Sequence, residues 1–196
     1  MSKTNLLERR SVVSSLLKDR KDAVVVGGLG ASTYDITAAG DHDRNFYLWG
    51  AMGGAVMIGL GIALAQPKLP VVVITGDGEM LMGMGSLATV GLQKPANLSI
   101  VVLDNEVYGE TGGQASHTGA STDLVGIARC CGIADARNLA TTAEIEAFAA
   151  QMQDIAGGPR FASVKIDPAN LERVLSNRDG AFVVNRIRGA LGYQPI

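Results

Sequence analysis

Two oxygen-bearing side chains occupy matching places after two apolar segments of this chain. Asp77 follows the run 70–75 (PVVVIT), and Asn105, 28 positions later, follows the run 98–103 (LSIVVL). The spacing suits a strand end, a crossover helix and the end of a neighbouring strand, which would bring the two side chains together. Mg²⁺ accepts such oxygen ligands together with phosphate oxygens, and glycines beside Asp77 let backbone N–H groups approach a phosphate. The pattern therefore predicts a metal-bridged diphosphate site.

The elements that would position these residues alternate between apolar runs and amphipathic segments. The apolar runs predict buried strands over residues 23–26, 70–75, 98–103 and 161–166. Helical spacing or helix-start residues predict helices over residues 5–18, 31–39, 53–65, 84–93, 123–131, 141–154 and 180–190. Alternation of this kind favours one doubly wound α/β domain over residues 1–196, with a mostly parallel sheet of about six strands. The polar, glycine-rich stretch 104–122 is expected to be a functional loop.

Composition excludes several classes of protein. The formal net charge is −2 and no basic run occurs, so nothing favours nucleic-acid binding. The most apolar stretch, 51–65, is glycine-rich and too short to span a bilayer, so we expect a buried helix rather than a membrane segment. Charged residues interrupt the first twenty positions, so no signal peptide is expected and a cytoplasmic location is predicted.

Other phosphate and nucleophile motifs are incomplete. The chain has no G-x-x-x-x-G-K-[ST] sequence, and the segment 28–33 lacks the third glycine of a dinucleotide fingerprint. The segment 83–87 (GMGSL) is not a G-x-S-x-G elbow. Two histidines and two adjacent cysteines do not suit a zinc site.

The sequence Gly76-Asp77-Gly78 followed by Asn105 resembles the signature of thiamine-diphosphate-dependent enzymes, G-D-G followed 25 to 30 residues later by N-N. The resemblance implies thiamine diphosphate and Mg²⁺ as cofactors. It also implies that Asp77, Asn105 and the backbone carbonyl of Val107 bind the metal. Asp104 replaces the first Asn of the pair, which is not the metal ligand.

A second segment resembles one particular group of these enzymes. Residues 43–53 (DRNFYLWGAMG) resemble the "nFYmlGSMG" segment of the sulfopyruvate and phosphonopyruvate decarboxylases, as do residues 27–34 and 104–114. The likeness covers roughly residues 20–135, and the chain has the length of their separate β subunit. It implies that Met52 wedges the cofactor into a bent shape and that the Gly50 carbonyl accepts a hydrogen bond from its 4′-amino group.

The resemblance also implies the remaining site residues. Those expected near the cofactor are Gly28, Gly30, Gly76, Gly78, Glu79, Tyr108 and Gly109. Many relatives have Ser at position 79, and a Glu there would repel a diphosphate unless it turns away or caps a helix. His117, Gln114 and Thr111 are candidates for binding the substrate carboxylate or relaying protons, although loop residues of these types are often simply solvated.

The function implied is that of a diphosphate-binding β subunit. A separate α subunit would carry the pyrimidine-side domain and its catalytic glutamate, and the complex would convert a small 2-oxo acid into an aldehyde and CO₂. Sulfopyruvate or phosphonopyruvate is the expected substrate, and the glycine-rich helix over 53–65 is expected at a subunit interface. Two alternatives remain: a carboligase subunit like those of acetolactate synthases, and a non-catalytic subunit that binds cofactor and serves assembly.

Overall fold

A six-stranded parallel sheet organises the chain. The computed structural model describes residues 6–196. Its strands are β1 (Val24–Gly27), β2 (Asn45–Tyr47), β3 (Val71–Gly76), β4 (Leu98–Asp104), β5 (Val107–Tyr108), β6 (Gln114–Ala115), β7 (Asp135–Leu139) and β8 (Arg160–Lys165). The main sheet has the order β2-β1-β3-β4-β8-β7, and each neighbouring pair is parallel. The prediction of a doubly wound domain with about six strands is confirmed.

Within residues 6–196, eight α-helices connect and cover the strands. They are α1 (Arg9–Leu17), α2 (Ala31–Ala38), α3 (Ala55–Ala65), α4 (Asp77–Met82), α5 (Ser86–Gln93), α6 (Leu124–Cys130), α7 (Thr142–Gln151) and α8 (Gly180–Ala190). Seven of these correspond to the predicted helices with bounds shifted by a few residues. Position 5 of the first predicted helix lies outside the described residues.

The structure differs from the sequence interpretation in two respects, the unpredicted elements and the stretch 104–122. Strands β2 and β7 and the short helix α4 were not predicted. The stretch 104–122 is not without regular structure, because β5 and β6 form an antiparallel hairpin and two 3₁₀ turns follow the strands, at Gly109–Thr111 and His117–Gly119. These are short elements whose local sequences carry no apolar periodicity.

Helices cover both faces of the sheet, which explains the continuous apolar strands. In β1, Val24 and Val26 pack into a cluster with residues of α3, α5, α6 and α8, whereas Val25 packs into a second cluster with α1, α2 and α7. Successive side chains of a strand point to opposite faces, so a strand buried on both faces must be apolar throughout.

Helix α3 approaches the sheet closely. A β-carbon added at Gly59 would lie only 2.3 Å from Val73 Cγ2 on β3, so glycine is needed for this packing distance. The outer side of α3 is not covered, since Met57 and Leu64 are 45% and 50% exposed. Among residues 6–196, none of the helices has the length and apolar character required to cross a bilayer.

Two segments, one before α1 and one after β8, meet at the carboxyl edge of the sheet. Leu7 forms a parallel bridge with Ile166, just after β8, and the Leu7 carbonyl accepts a hydrogen bond from Asp167 N at 2.9 Å. Residues 167–179, here called the strap, then run without regular secondary structure to α8. The strap is held by Arg10 Nη2, which donates to the Glu172 carbonyl at 2.6 Å, and by Trp49 Nε1, which donates to the Asn177 carbonyl at 3.2 Å.

Candidate functional site

A cavity of about 160 Å³ lies at the carboxyl ends of β3 and β4. The predicted cofactor residues that line it are Met52, Gly76, Asp77, Gly78, Glu79, Asn105, Val107, Tyr108 and Gly109. Because Gly76 is paired with Leu103 in adjacent parallel strands, Asp77 and Asn105 emerge at the same edge of the sheet. The structure thus brings together the two side chains that the spacing suggested.

Asp77 is a buried carboxylate at the start of α4, with 2% exposure. Its Oδ2 accepts hydrogen bonds from the Ser116 hydroxyl and from Thr118 Oγ1, the latter at 3.1 Å. Burial raises the pKa of Asp77, the Ser116 hydrogen bond opposes this rise, and the charge of nearby Asp104 adds to it. A cation bound here would offset both the burial and the repulsion between the carboxylates.

Asp104, the last residue of β4, is held by charge and hydroxyl contacts. Its Oδ2 lies 2.8 Å from Lys165 Nζ, and its Oδ1 accepts a hydrogen bond from Thr118 Oγ1 at 2.7 Å. Thr118 therefore touches both carboxylates. This explains how an Asp replaces the first Asn of the family signature: Lys165 on β8 balances its charge.

Asn105 lies at the turn between β4 and β5. Its Oδ1 accepts a hydrogen bond from Val107 N at 3.1 Å, and an amide oxygen retains a second lone pair after one such bond. Within residues 6–196, no group of three or more His, Cys, Asp or Glu side chains could hold a metal ion. The predicted Mg²⁺ site is of another kind, since it combines one carboxylate, one amide and one backbone carbonyl, which are donors that fit Mg²⁺.

Glu79 is a buried carboxyl group of the cavity wall that joins three segments of the chain. Its Oε2 accepts hydrogen bonds from Leu29 N at 2.8 Å and Thr75 Oγ1 at 2.9 Å, and its Oε1 accepts one from Ala55 N at 3.4 Å. Burial raises its pKa, and these hydrogen bonds oppose the rise. The carboxylate thus binds the first residue of α3 and the loop after β1.

Of the four predicted glycines outside G-D-G, Gly109 lines the cavity, whereas Gly28, Gly30 and Gly50 do not. At Gly28 an added β-carbon would lie 1.9 Å from Glu79 Oε2, so this glycine makes room for the Glu79 contact. Gly30 precedes α2 with a φ of 79°, and Gly50 has a φ of 77°, both in the left-handed region that favours glycine. Their place in the structure is therefore to shape the backbone around the cavity.

Met52 and Tyr108 meet at Gly78. A β-carbon at Gly78 would lie 2.9 Å from the Tyr108 ring and 3.5 Å from Met52 Cε. Met52 remains 40% exposed although it lines the cavity. Its side chain stands beside the G-D-G segment, and its role as a wedge stays a prediction.

The three catalytic candidates are exposed and do not all reach the cavity. Thr111 lines it, whereas Gln114 and His117 do not. Thr111 and Gln114 bind each other, with 3.1 Å between Thr111 Oγ1 and Gln114 Oε1. His117 Nδ1 lies 2.9 Å from the Tyr108 hydroxyl, so His117 is connected to the cavity wall through Tyr108.

Comparison with known proteins places this geometry in a family. Residues 28–166 match the model described as thiamine pyrophosphate enzyme, C-terminal TPP binding domain. The chain belongs to this family. The residues of the G-D-G segment and of the turn after β4 all lie within the match, so the domain that binds thiamine diphosphate is the part of the chain that contains the cavity.

Individual members of this family show which of its enzymes the chain resembles. It is 35% identical over 189 residues to a protein of Methanothermobacter thermautotrophicus named sulfopyruvate decarboxylase subunit beta, covering 94% of this chain and 98% of that one. A protein of the same name from Methanocaldococcus jannaschii is 43% identical over 126 residues, 64% of each chain. The phosphonopyruvate decarboxylase of Streptomyces viridochromogenes is 41% identical over 152 residues, which are 78% of this chain and 38% of that enzyme. The predicted resemblance to these decarboxylases is confirmed.

Solved structures confirm the fold. A thiamin diphosphate-dependent enzyme from Mycobacterium smegmatis, described as putative in its name, superposes with a TM-score of 0.71 at 24% identity, over 85% of this chain and 33% of that one. Benzoylformate decarboxylase from Polynucleobacter necessarius gives 0.73 at 19% identity, over 88% and 36%. At these identities the likeness concerns the fold alone.

Several residues that bind Asp77 or line the cavity were not predicted from the sequence. Ser116 and Thr118 bind Asp77, yet only His117 between them was singled out. Arg9 on α1 and Arg173 on the strap also line the cavity, and both lie outside the family match. No local pattern marked the two arginines, because their role depends on where α1 and the strap cross the sheet edge.

Proposed function

We propose that this chain is the β subunit of a decarboxylase that converts sulfopyruvate, phosphonopyruvate or a similar 2-oxo acid into an aldehyde and CO₂. The proposal is carried by the convergence of Asp77, Gly78 and Asn105 on one cavity in a chain of this family. The names of the relatives supply the substrate class.

In this proposal Mg²⁺ is held by Asp77, Asn105 and the Val107 carbonyl, with the diphosphate beside Gly78. Bound thiamine diphosphate would supply the electron sink for loss of CO₂. Met52 and the Gly50 carbonyl would contact the cofactor and favour its reactive conformation. Buried Glu79 keeps the loop after β1 in place through its contact with Leu29 N.

The candidates for handling the substrate belong to the β5–β6 hairpin and the turns around it. Thr111, at the cavity, and Gln114, bound to it, would hold the substrate carboxylate. His117 would move a proton by way of the Tyr108 hydroxyl, which lies 2.9 Å from its ring nitrogen.

A partner α subunit completes the proposed site. The cavity of about 160 Å³ is smaller than a typical pocket for a small-molecule ligand, about 300–1,000 Å³, which fits a cofactor shared between two chains. The partner would supply the pyrimidine-side surface and its catalytic glutamate. Activity should therefore require both subunits.

The test is reconstitution. This chain and its α subunit, purified separately, are mixed with thiamine diphosphate and Mg²⁺ and supplied with sulfopyruvate, phosphonopyruvate or pyruvate. We expect the mixture of the two subunits to release CO₂ and one aldehyde from sulfopyruvate or phosphonopyruvate. Neither subunit alone should release these products. A longer carbon skeleton as product would indicate a carboligase instead. Equal activity of the α subunit without this chain would indicate a non-catalytic assembly role.

A further inference from the structure

Arg9 is a buried cation that faces the cavity without a complete set of partners. It is 7% exposed and belongs to the cavity wall. Its Nε lies 3.0 Å from Asp35 Oδ2, but the two atoms are not aligned for a hydrogen bond. Among residues 6–196, the buried Arg9 Nε has no hydrogen-bond acceptor. Buried charged groups are ordinarily fully hydrogen-bonded, so this guanidinium calls for a further acceptor.

The charge around Arg9 is unbalanced. Asp35 is fully buried and is shared with Arg10, whose Nε lies 3.2 Å from its Oδ1. Two guanidinium groups therefore face one carboxylate. Arg10 also binds the Glu172 carbonyl on the strap and does not line the cavity, whereas Arg9 does. Of the two guanidinium groups that share Asp35, that of Arg9 is thus the one at the cavity wall.

The start of α2 lies at the same wall. Ala31 and Ser32 line the cavity, and no side chain caps this helix end, which leaves the first backbone N–H groups without side-chain acceptors. Unpaired N–H groups at a helix start attract anions. The buried guanidinium and the uncapped helix start thus favour the same kind of ligand.

We propose that Arg9 binds a tetrahedral oxyanion (a phosphate, phosphonate or sulfonate group) of the molecule held in the cavity. The inference rests on the proposed function, which offers two sources of such a group: the diphosphate of the cofactor and the acid group of the 2-oxo acid. A planar guanidinium suits either, because its two terminal nitrogens can bind two oxygens of one group.

The experiment uses the αβ complex and measures binding by calorimetry in two arms. One arm titrates thiamine diphosphate with Mg²⁺, and the other titrates 3-sulfopropanoate, which carries the sulfonate but no 2-oxo group. Arg9→Gln should raise the Kd about 10- to 100-fold in one arm, as for loss of a hydrogen bond to a charged group. Arg9→Lys should lose less affinity, since lysine keeps the positive charge but not the two parallel N–H donors of the guanidinium.

Arg160→Gln is the matched control, because Arg160 is also a buried arginine, 4% exposed and paired with Asp154 at 2.9 Å, but lies at the start of β8 and does not line the cavity. Its Kd should stay at the wild-type value in both arms. If Arg9→Gln does not fold, the double variant Arg9→Gln/Asp35→Asn removes the buried charge and its counterion together and should show the same loss.

The outcomes separate the possibilities. Weaker binding of thiamine diphosphate assigns the oxyanion to the cofactor, and weaker binding of 3-sulfopropanoate assigns it to the substrate. Arg9 variants that bind both ligands as tightly as Arg160→Gln would overturn the inference. A wild-type complex that binds thiamine diphosphate but releases no CO₂ from any 2-oxo acid would contradict the proposed function, while the comparison of affinities would still decide the role of Arg9.

Discussion

Asp77 and Asp104 place two carboxylates side by side in the interior, and each is stabilised differently. Lys165 balances Asp104 at 2.8 Å, whereas no cationic side chain among residues 6–196 pairs with Asp77, which accepts hydrogen bonds from the hydroxyls of Ser116 and Thr118. Hydroxyl groups satisfy the oxygens but do not neutralise the charge. The residue that lacks a counterion is thus the one proposed to bind the metal.

Replacing Asp77 tests the metal site directly. Asp77→Ala should leave the fold intact, because it removes a buried charge that has no ion pair. Mg²⁺-dependent affinity for thiamine diphosphate should fall by more than about 100-fold, since loss of groups that only orient ligands already costs about 10- to 100-fold. Ser116→Ala, which keeps the carboxylate, should fall in that smaller range. Calorimetry that gives Asp77→Ala the wild-type affinity would count against the site.

Because Glu79 is buried, we expect the free energy of unfolding to depend on pH. Burial raises its pKa above the ordinary 4.5, so the folded state holds the proton more tightly than the unfolded state does. The stability it contributes is complete below pH 4.5 and is lost as the pH rises through the folded pKa. The free energy of unfolding of the wild type, relative to that of Glu79→Gln, should therefore decrease from pH 4 to pH 7.

Urea denaturation of both proteins across that range measures the difference. Asp35 and Asp77, whose pKa values burial also raises, are present in both chains, so their contributions cancel. A difference that stays constant, or one that grows with pH, would show that Glu79 does not titrate as inferred.

At the scale of elements, the sequence determined the long, buried parts and not the short, exposed ones. Strands β3 and β4 are apolar on both faces and were predicted within one residue. Strand β2 has only three residues, and β7 (DARNL) mixes charged residues with apolar ones at the sheet edge, so neither shows a strand pattern. Their existence follows from pairing with neighbours that are distant in the chain.

The same reason limits prediction of the site. Asp77 and Asn105 follow strands that the sequence identifies, so their approach could be inferred from spacing. Ser116 and Thr118 reach Asp77 only because the β5–β6 hairpin folds back over the edge of the sheet. Arg9 reaches the cavity through the packing of α1, which no local pattern encodes.

Two glycines of α3 offer a test of the packing of this helix. Gly59→Ala should destabilise the isolated chain by about 1–3 kcal/mol, because its β-carbon would overlap Val73. Gly61→Ala meets nothing within 4 Å and should stabilise it by about 0.5–1 kcal/mol through helix propensity. Chemical denaturation of both variants decides the matter, and changes of the same sign would contradict the orientation of α3 described above.

At the scale of the whole molecule, the face of the sheet covered by α3, α4 and α5 carries large apolar side chains in solvent. Met57, Leu64, Met82 and Leu92 are 45%, 50%, 69% and 77% exposed. Exposed methionine and leucine side chains grouped on one face are typical of an interaction surface. This supports the expectation that α3 lies at a subunit interface, next to Met52 and the cavity.

Met57→Glu should therefore weaken assembly. A charge placed at a buried apolar contact has no partner, so the Kd between subunits should rise at least about tenfold, while the isolated chain keeps its stability because Met57 is half exposed. The matched control is Ala147→Glu, an exposed position on α7 across the sheet. Sedimentation velocity with the α subunit measures both. Equal assembly of the two variants, or a chain that stays monomeric with its partner present, would remove α3 from the interface.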